Sequence, residues 1–476
     1  MARTQATSRG FATGRAFRVD PQTGGGGGTP PPDPAPVILS GPTLVSRTAS
    51  SITLTWTVDQ FCSSRIEYGL TTSYGTEGPS EPSFDFSTHQ ETISGLSADT
   101  TYHFRVRVTN QSGQETIGSD AAFSTLASSS GGGSTAVYGF GSTVTGGAGG
   151  IVRVVSNLNN SGTGSLRDAC GLGGFITFSV SGTIHLTSQV NVASNTTIAG
   201  ETAPGTGITI TGWPIQVNGS SRSNIIVRNI RHRGWNGIGS RPGVGTGAEC
   251  FGGINGAHHL VFQNLSMAYH LDECIGFWRG SHDVTVQDCI IGEGHSDASG
   301  HNYAFLIGND ASGISNYGST TNFSVFRNLI YRSQYRNPNV GYDDSGGQTS
   351  PDVQAEIANN LIWPGSISNS YGIQVYWGGK ANARYNYIGD TSNAAVQGAA
   401  TNAQGNVYSV GNVSRNGRSV TGNVGSLYTV PSHAVLTVQS PASTAASYVL
   451  ANAGCRVGGL DAYDTAAIAA INTAGL

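Results

Sequence analysis

The chain has 476 residues, of which 69 are Gly, 37% are hydrophobic and only 11% are charged. That length is too great for one compact core, and many turn formers with few charges suit an all-β chain of short strands: a long solenoid with a smaller domain. A formal net charge of −4 excludes an overall basic nucleic-acid binder, and the lack of a long apolar run excludes a transmembrane helix, so neither nucleic acid nor membrane insertion is expected.

In chain order, residues 1–36 form a polar arm that starts without the apolar stretch of a secretory signal and ends in GGGGGTPPPDPAP. Five flexible Gly followed by extended prolines make a linker, with the Arg-bearing arm before it disordered or docked on a larger assembly. Residues 37–126 then alternate apolar and polar in SITLTWTV, SRIEYG and TYHFRVRVTN, as half-buried strands do. Trp56 supplies a core side chain, and Leu96 followed by Tyr102 has tyrosine-corner spacing. These residues resemble a fibronectin type III domain, a β-sandwich that serves mostly as spacer or adhesion unit. Residues 127–136 make a second, Gly/Ser linker.

From 137 to 476 a repeat takes over. A short apolar strand followed by a polar residue recurs with Asn229, Asn264, Asp288, Asn328, Asn360, Asn386 and Asn412, which are all expected in one structural slot of a coiled solenoid. Leucine-rich repeats are excluded by the missing Leu-x-x-Leu-x-Leu spacing. The six Cys show no metal spacing and are expected in the core. Arg222, Arg228, Arg231, Arg233 and Arg241 cluster, as a solvated face or a contact for an acidic glycan. SYVLANAGC and DTAAIAAINTAGL have helical spacing, and a helix there would cover the open end of the coil.

The opening YGFGSTVTGGAGGIVRVVSNLNNSGTGSLRDA, then ITFSVSGTIHL, TTIAGETAPGTGITITG and the closing SYVLANAGC…LDAYDTAAIAAI resemble the family-1 pectate lyases over nearly all of residues 137–476. The resemblance implies a right-handed parallel β-helix and cleavage of an acidic polysaccharide by β-elimination. In that reaction a base removes the proton α to the C6 carboxylate and the C4 oxygen leaves. SVFRNLIYRSQYRNPNV carries the family's Arg-x-Pro, which maps the base onto Arg336; the plainer reading is an Arg paired with an acid such as Asp343 or Asp344. A calcium ion, which prefers hard oxygen donors, is implied by HLDECIGFWRGSHDVTVQDC and GAECFGGINGAHHLVFQN, mapping ligand roles onto Asp272, Glu273 and Glu249. Two departures stand out: Tyr303 occupies a place that often holds a substrate-binding Lys, and Asn339 a place that usually holds Arg. Both remove cations that would hold uronate carboxylates. Tyr303, Asn339, Trp278 and His301 are the expected substrate-binding residues. Tyr335, Tyr376, Trp235 and Trp377 are further candidates to stack on sugar, and His232, His270 and His295 to line the groove without metal.

The expected function is a polysaccharide lyase. Arm, linker, sandwich and terminal β-helix follow the order of a phage tail spike or capsid fibre, so a virion depolymerase is favoured, with the arm meeting other virion proteins. The alternatives are a non-catalytic glycan-binding or structural fibre, and a secreted bacterial pectate lyase.

Overall fold

The computed structural model describes residues 33–47, 51–97, 100–125, 136–235, 249–294, 302–309, 311–341, 353–365, 367–376, 378–398, 405–420, 436 and 438–475. The arm before residue 33 and nearly all of the second linker lie outside them.

Residues Ile38–Ser124 build two antiparallel sheets. Strands Ile38–Arg47, Ser51–Val58 and Thr88–Ser94 form one; Ser63–Gly69, Thr76–Glu81, Thr101–Thr109, Glu115–Ile117 and Ala121–Ser124 form the other. The alternation of Ser51–Val58 buries every second residue. Trp56, Ile66, Phe104 and Val106 meet in a core at 0–1% exposure. The Ser97 amide donates to the Tyr102 hydroxyl at 2.9 Å, the bond that the spacing of Leu96 and Tyr102 predicts.

From residue 136 on, the chain winds as a right-handed parallel β-helix. Among the described residues its strands form three parallel sheets of ten, nine and eight strands, visited in turn. One rung comprises Ser223–Arg228, Arg231–His232 and Phe251–Ile254; the next comprises His258–Gln263, Ser266–Met267 and Glu273–Trp278. In-register pairing stacks like on like: Ile225, Leu260, Val284 and Phe323 follow one another in the ten-stranded sheet. The coil interior is one continuous core running from Val155 to Val407.

The repeat resolves into two slots rather than one. From the rung of Ser223–Arg228 onward, the chain makes a two-residue turn between the first and second strand. Its first residue is Asn229, Asn264, Asp288, Arg327, Asn359 or Tyr385, all at φ between 49° and 57°. Asn and Asp tolerate this left-handed conformation better than most residues. The second residue is buried, and it is Ile230, Leu265 or Cys289 in early rungs and Asn328, Asn360 or Asn386 later. The expected single slot is therefore corrected: Asn229, Asn264 and Asp288 stand one residue ahead of the ladder.

The ladder runs from Asn328 to Asn412. Each side-chain oxygen accepts the backbone N–H of the preceding rung: Asn328 from Cys289 at 2.9 Å, Asn360 from Asn328 at 2.9 Å, Asn386 from Asn360 at 3.0 Å and Asn412 from Asn386 at 2.9 Å. Each side-chain nitrogen donates to a carbonyl, that of Asn360 to Val325 at 2.9 Å. The buried amides of Asn328, Asn360 and Asn386 are thereby satisfied inside the coil.

The Gly-rich opening lies across the outer face of the ten-stranded sheet. Phe140 and Gly141 donate to the hydroxyls of Ser324 and Thr285 at 3.0 and 2.9 Å, and Gly147 to that of Thr197 at 2.9 Å. A Cβ on Gly139, at φ +74°, would fall 2.0 Å from Ser324 Oγ, so only glycine lets the strap lie this close.

Helices close the coil differently from expectation. Helix α1 (Leu166–Leu172), N-capped by Ser165, packs Leu166, Ala169 and Cys170 into the first-rung core. Helix α2 (Ala311–Tyr317) is a surface turn between rungs. Helices α3 (Ala442–Asn452) and α4 (Ala462–Ala474) lie along the flank rather than over the open end, on Leu329, Leu361, Trp363 and Tyr387 of the nine-stranded sheet. The Arg cluster explains the docking. Arg233 pairs with Asp461 and buried Asp464 at 2.7 and 2.9 Å, and Arg231 donates to the carbonyls of Thr206, Cys455, Val457 and Gly459. Arg228 pairs with Glu201. Buried Arg231 and Arg233 are thus structural rather than a solvated face, whereas Arg222 and Arg228 stay half-buried; Arg241 lies outside the described residues. All six Cys are buried, as expected, and the structure has them as free thiols.

Candidate active site

The eight-stranded sheet carries the candidate residues where its strands begin. Glu273 is in register with Tyr303, and Tyr303 bridges to Tyr335 on the next rung. Arg336 follows at φ +59°, and its backbone is fixed on both sides: its N–H donates to Gln374 Oε1 at 3.1 Å and its carbonyl accepts from Phe305 at 2.7 Å. That turn sends the side chain back across a rung. The guanidinium lies over the Tyr303 ring, 4.6 Å from its centroid, and ends in an ion pair with Glu273. Glu273 is 5% exposed and Arg336 17%, so the pair is largely withdrawn from water.

Aromatic rings extend this row along the coil axis. Tyr303 meets Tyr335 edge-on at 5.6 Å, and Tyr335 stacks on Tyr371 at 5.5 Å. Tyr371 was not among the expected residues. It precedes its strand as Tyr335 precedes Asn339, a correspondence that only the rung register reveals.

Outward positions of the same strands form a floor. In order these are Gln216, Gly252, Gly276, Leu306, Asn339, Gln374 and Gln397, each in register with the next. Asn339 is 5% exposed, and its Oδ1 has no hydrogen-bond partner among the described residues. It is an acceptor set into the floor rather than an arm reaching from it. Gln374 donates to the Tyr376 hydroxyl at 2.8 Å, which donates on to Gln397 at 3.1 Å. Trp278 lies across the next rung's backbone, where a Cβ on Gly308 would fall 2.1 Å from its ring.

The structure thus brings Arg336, Tyr303 and Glu273 into contact, with Asn339 and Trp278 on the same outer face. Glu249 stands beside Glu273, one rung away, while Asp272 engages the buried His270 through its backbone carbonyl at 2.7 Å. Among the described residues no three His, Cys, Asp or Glu side chains converge as metal ligands. Glu273 is held by Arg336 and Asp272 turns its carbonyl to His270, so a calcium ion bound here would have to draw Glu273 away from Arg336. His232 and His270 are fully buried in the coil and do not line the groove; burial holds the His270 imidazole below its ordinary pKa. Trp235 is likewise packed away, against Leu271. His301, His295, Trp377, Asp343 and Asp344 lie outside the described residues.

No family model matches the chain. Among curated proteins it is 36% identical over 205 residues to a probable pectate lyase C of Aspergillus oryzae, covering 42% of this chain and 43% of the relative. A probable pectate lyase C of Neosartorya fischeri is 32% identical over 260 residues, covering 51% and 56%. The chain spans about half the length of the curated relatives it matches. Among solved structures, the cedar pollen allergen Jun a 1 superposes with a TM-score of 0.50 at 18% identity, covering 67% of this chain and 92% of the allergen. The coil is thus a pectate lyase-like parallel β-helix. No helix among the described residues is long and apolar enough to cross a membrane.

Proposed function

We propose that this chain is a polysaccharide lyase that cleaves an acidic glycan by β-elimination along the outer face of the eight-stranded sheet, with Arg336 as the base. The observation that carries the reading is the placement of Arg336. A backbone pinned at both its N–H and its carbonyl aims the guanidinium over Tyr303 and onto Glu273, beside the floor containing Asn339. The likeness to probable pectate lyases supports the substrate class.

Paired with Glu273, Arg336 is a charged donor, suited to gripping a uronate carboxylate. To act as base it must exchange Glu273 for the substrate and give up a proton to solvent water, because a charged guanidinium has no lone pair to offer. The proton α to the carboxylate then passes to Arg336. Its electron pair forms the C4–C5 double bond, and the C4 oxygen leaves with the C4–O pair and takes a proton from water. Tyr303, Tyr335 and Tyr371 would stack on sugar rings along the axis, and Asn339 Oδ1 would accept from a sugar hydroxyl.

In this reading residues 37–126 serve as a fibronectin type III-like spacer, supported by the three-stranded sheet facing the larger one and by the Tyr102 bond. Residues 1–36 and 127–136 serve as arm and linker. The fungal relatives favour the alternative of a pectate lyase over the tail-spike or capsid-fibre placement, for which the order of segments is the sole support.

Incubation with polygalacturonate tests the reading: unsaturated product raises ultraviolet absorbance. Glycan retention on a gel with no such product would replace the lyase by a non-catalytic binder.

A further inference from the structure

The floor of the groove contains two strand glycines whose reasons differ. Glycine inside a strand weakens it, and it marks either a close approach of another backbone or a place kept clear for a ligand. Gly252 is of the first kind: a Cβ there would fall 2.6 Å from the Gly276 carbonyl oxygen. Gly276 is not. Its φ lies outside the left-handed region, so its backbone makes no demand for glycine. Among the described residues a Cβ on it would meet only Glu249 Cγ at 3.8 Å and Glu273 Cβ at 3.9 Å, ordinary van der Waals contacts. The next rung carries Leu306 at the same position, so the coil accepts a large side chain in this column.

We infer that Gly276 is a specificity-determining position, left without a side chain so that a pyranose ring of the glycan can settle onto the floor beside Glu249 and Glu273. The inference rests on the lyase reading and deepens it. Ile275 and Phe277 point into the core at 0% exposure, so alternation puts Gly276 and Trp278 on the outer face. A ring seated there has carboxylates on one side and an indole on the other. That suits a sugar presenting hydroxyls to Glu249 and Glu273 and a C–H face toward Trp278. The seat adjoins the Arg336–Glu273 pair, so its depth sets how near the reacting sugar comes to Arg336.

The test compares wild type, Gly276→Ala and Gly276→Leu on polygalacturonate and on highly methyl-esterified pectin. It reads KM, kcat, retention in glycan-containing gels and Tm. We expect Gly276→Leu to fold with a Tm no lower than wild type while KM on the preferred probe rises about tenfold or more, with Gly276→Ala between. Unchanged KM and retention in Gly276→Leu would overturn the inference, as would loss of folding in Gly276→Ala, because the glycine would then be structural. A wild type that neither cleaves nor is retained by either probe would sink the lyase reading itself, and this inference with it. Retention without cleavage in the wild type would sink the lyase reading alone, leaving Gly276→Leu retention to decide the seat.

Discussion

The guanidinium carbon of Arg336 stands 4.6 Å from the centre of the Tyr303 ring, and beyond that ring the side chain ends on Glu273. A residue expected as catalytic base, one expected as substrate contact and one expected as metal ligand are thus a single contact set. Removing Arg336 does two things at once. Arg336→Ala should lower cleavage by roughly 10²–10⁴, and it should also cost roughly 1–3 kcal/mol of stability by leaving Glu273 buried and unpaired. Adding Glu273→Gln should restore the Tm but not the rate, checked by thermal unfolding beside the absorbance assay. A rate recovered in the double variant would move the base elsewhere.

The Arg336–Glu273 pair also bears on metal dependence. If Glu273 stays paired with Arg336 when glycan binds, EDTA should leave the cleavage rate within about twofold, since the carboxylates then left are far short of the six to eight oxygens calcium takes. A strict calcium requirement in the absorbance assay would show that Glu273 exchanges Arg336 for the ion.

The Asn ladder makes a separate prediction about the coil. Asn360→Ala would deprive the backbone and side-chain N–H groups of Asn328 of their shared acceptor. It should destabilise by roughly 2–5 kcal/mol, the cost of two or more buried groups left without partners. Urea unfolding gives the value. Ile230→Ala, at the apolar end of the same slot, should lose only packing energy.

Stability should also respond to pH through Asp288. Burial is the dominant influence, only partly offset by Arg327 at 2.7 Å, and it pushes the carboxyl up to about 6. The folded state therefore holds a proton that the unfolded chain, titrating near 3.9, has already released. The stabilising contribution is complete below about 4 and is lost as pH rises to about 6, roughly 3 kcal/mol at most. Asp288→Asn should flatten that part of the pH–stability curve, measured by denaturant unfolding at intervals from pH 4 to pH 7. An unchanged slope would assign it to other groups.

The sequence by itself determined the class of structure. Alternating strands, the tyrosine-corner spacing and the recurrent strand-plus-Asn unit each encode a local conformation whose cause is local: burial on one face, one side-chain bond, one turn. The Arg-x-Pro motif around Arg336 was legible for the same reason, as a short contiguous segment. The tertiary structure alone decided what depended on rung register. It separated left-handed Asn229, Asn264 and Asp288 from the ladder residues one place later, because only stacking shows which side chain points inward. It assigned Arg231 and Arg233 to holding the C-terminal segment, 228 and 231 residues farther along the chain at Gly459 and Asp464. It likewise placed Tyr371 beside Tyr335, Glu273 under Arg336, and Gly276 on the outer face with Trp278. Contacts between rungs join residues dozens of positions apart through loops of variable length, so no fixed spacing in the sequence encodes them.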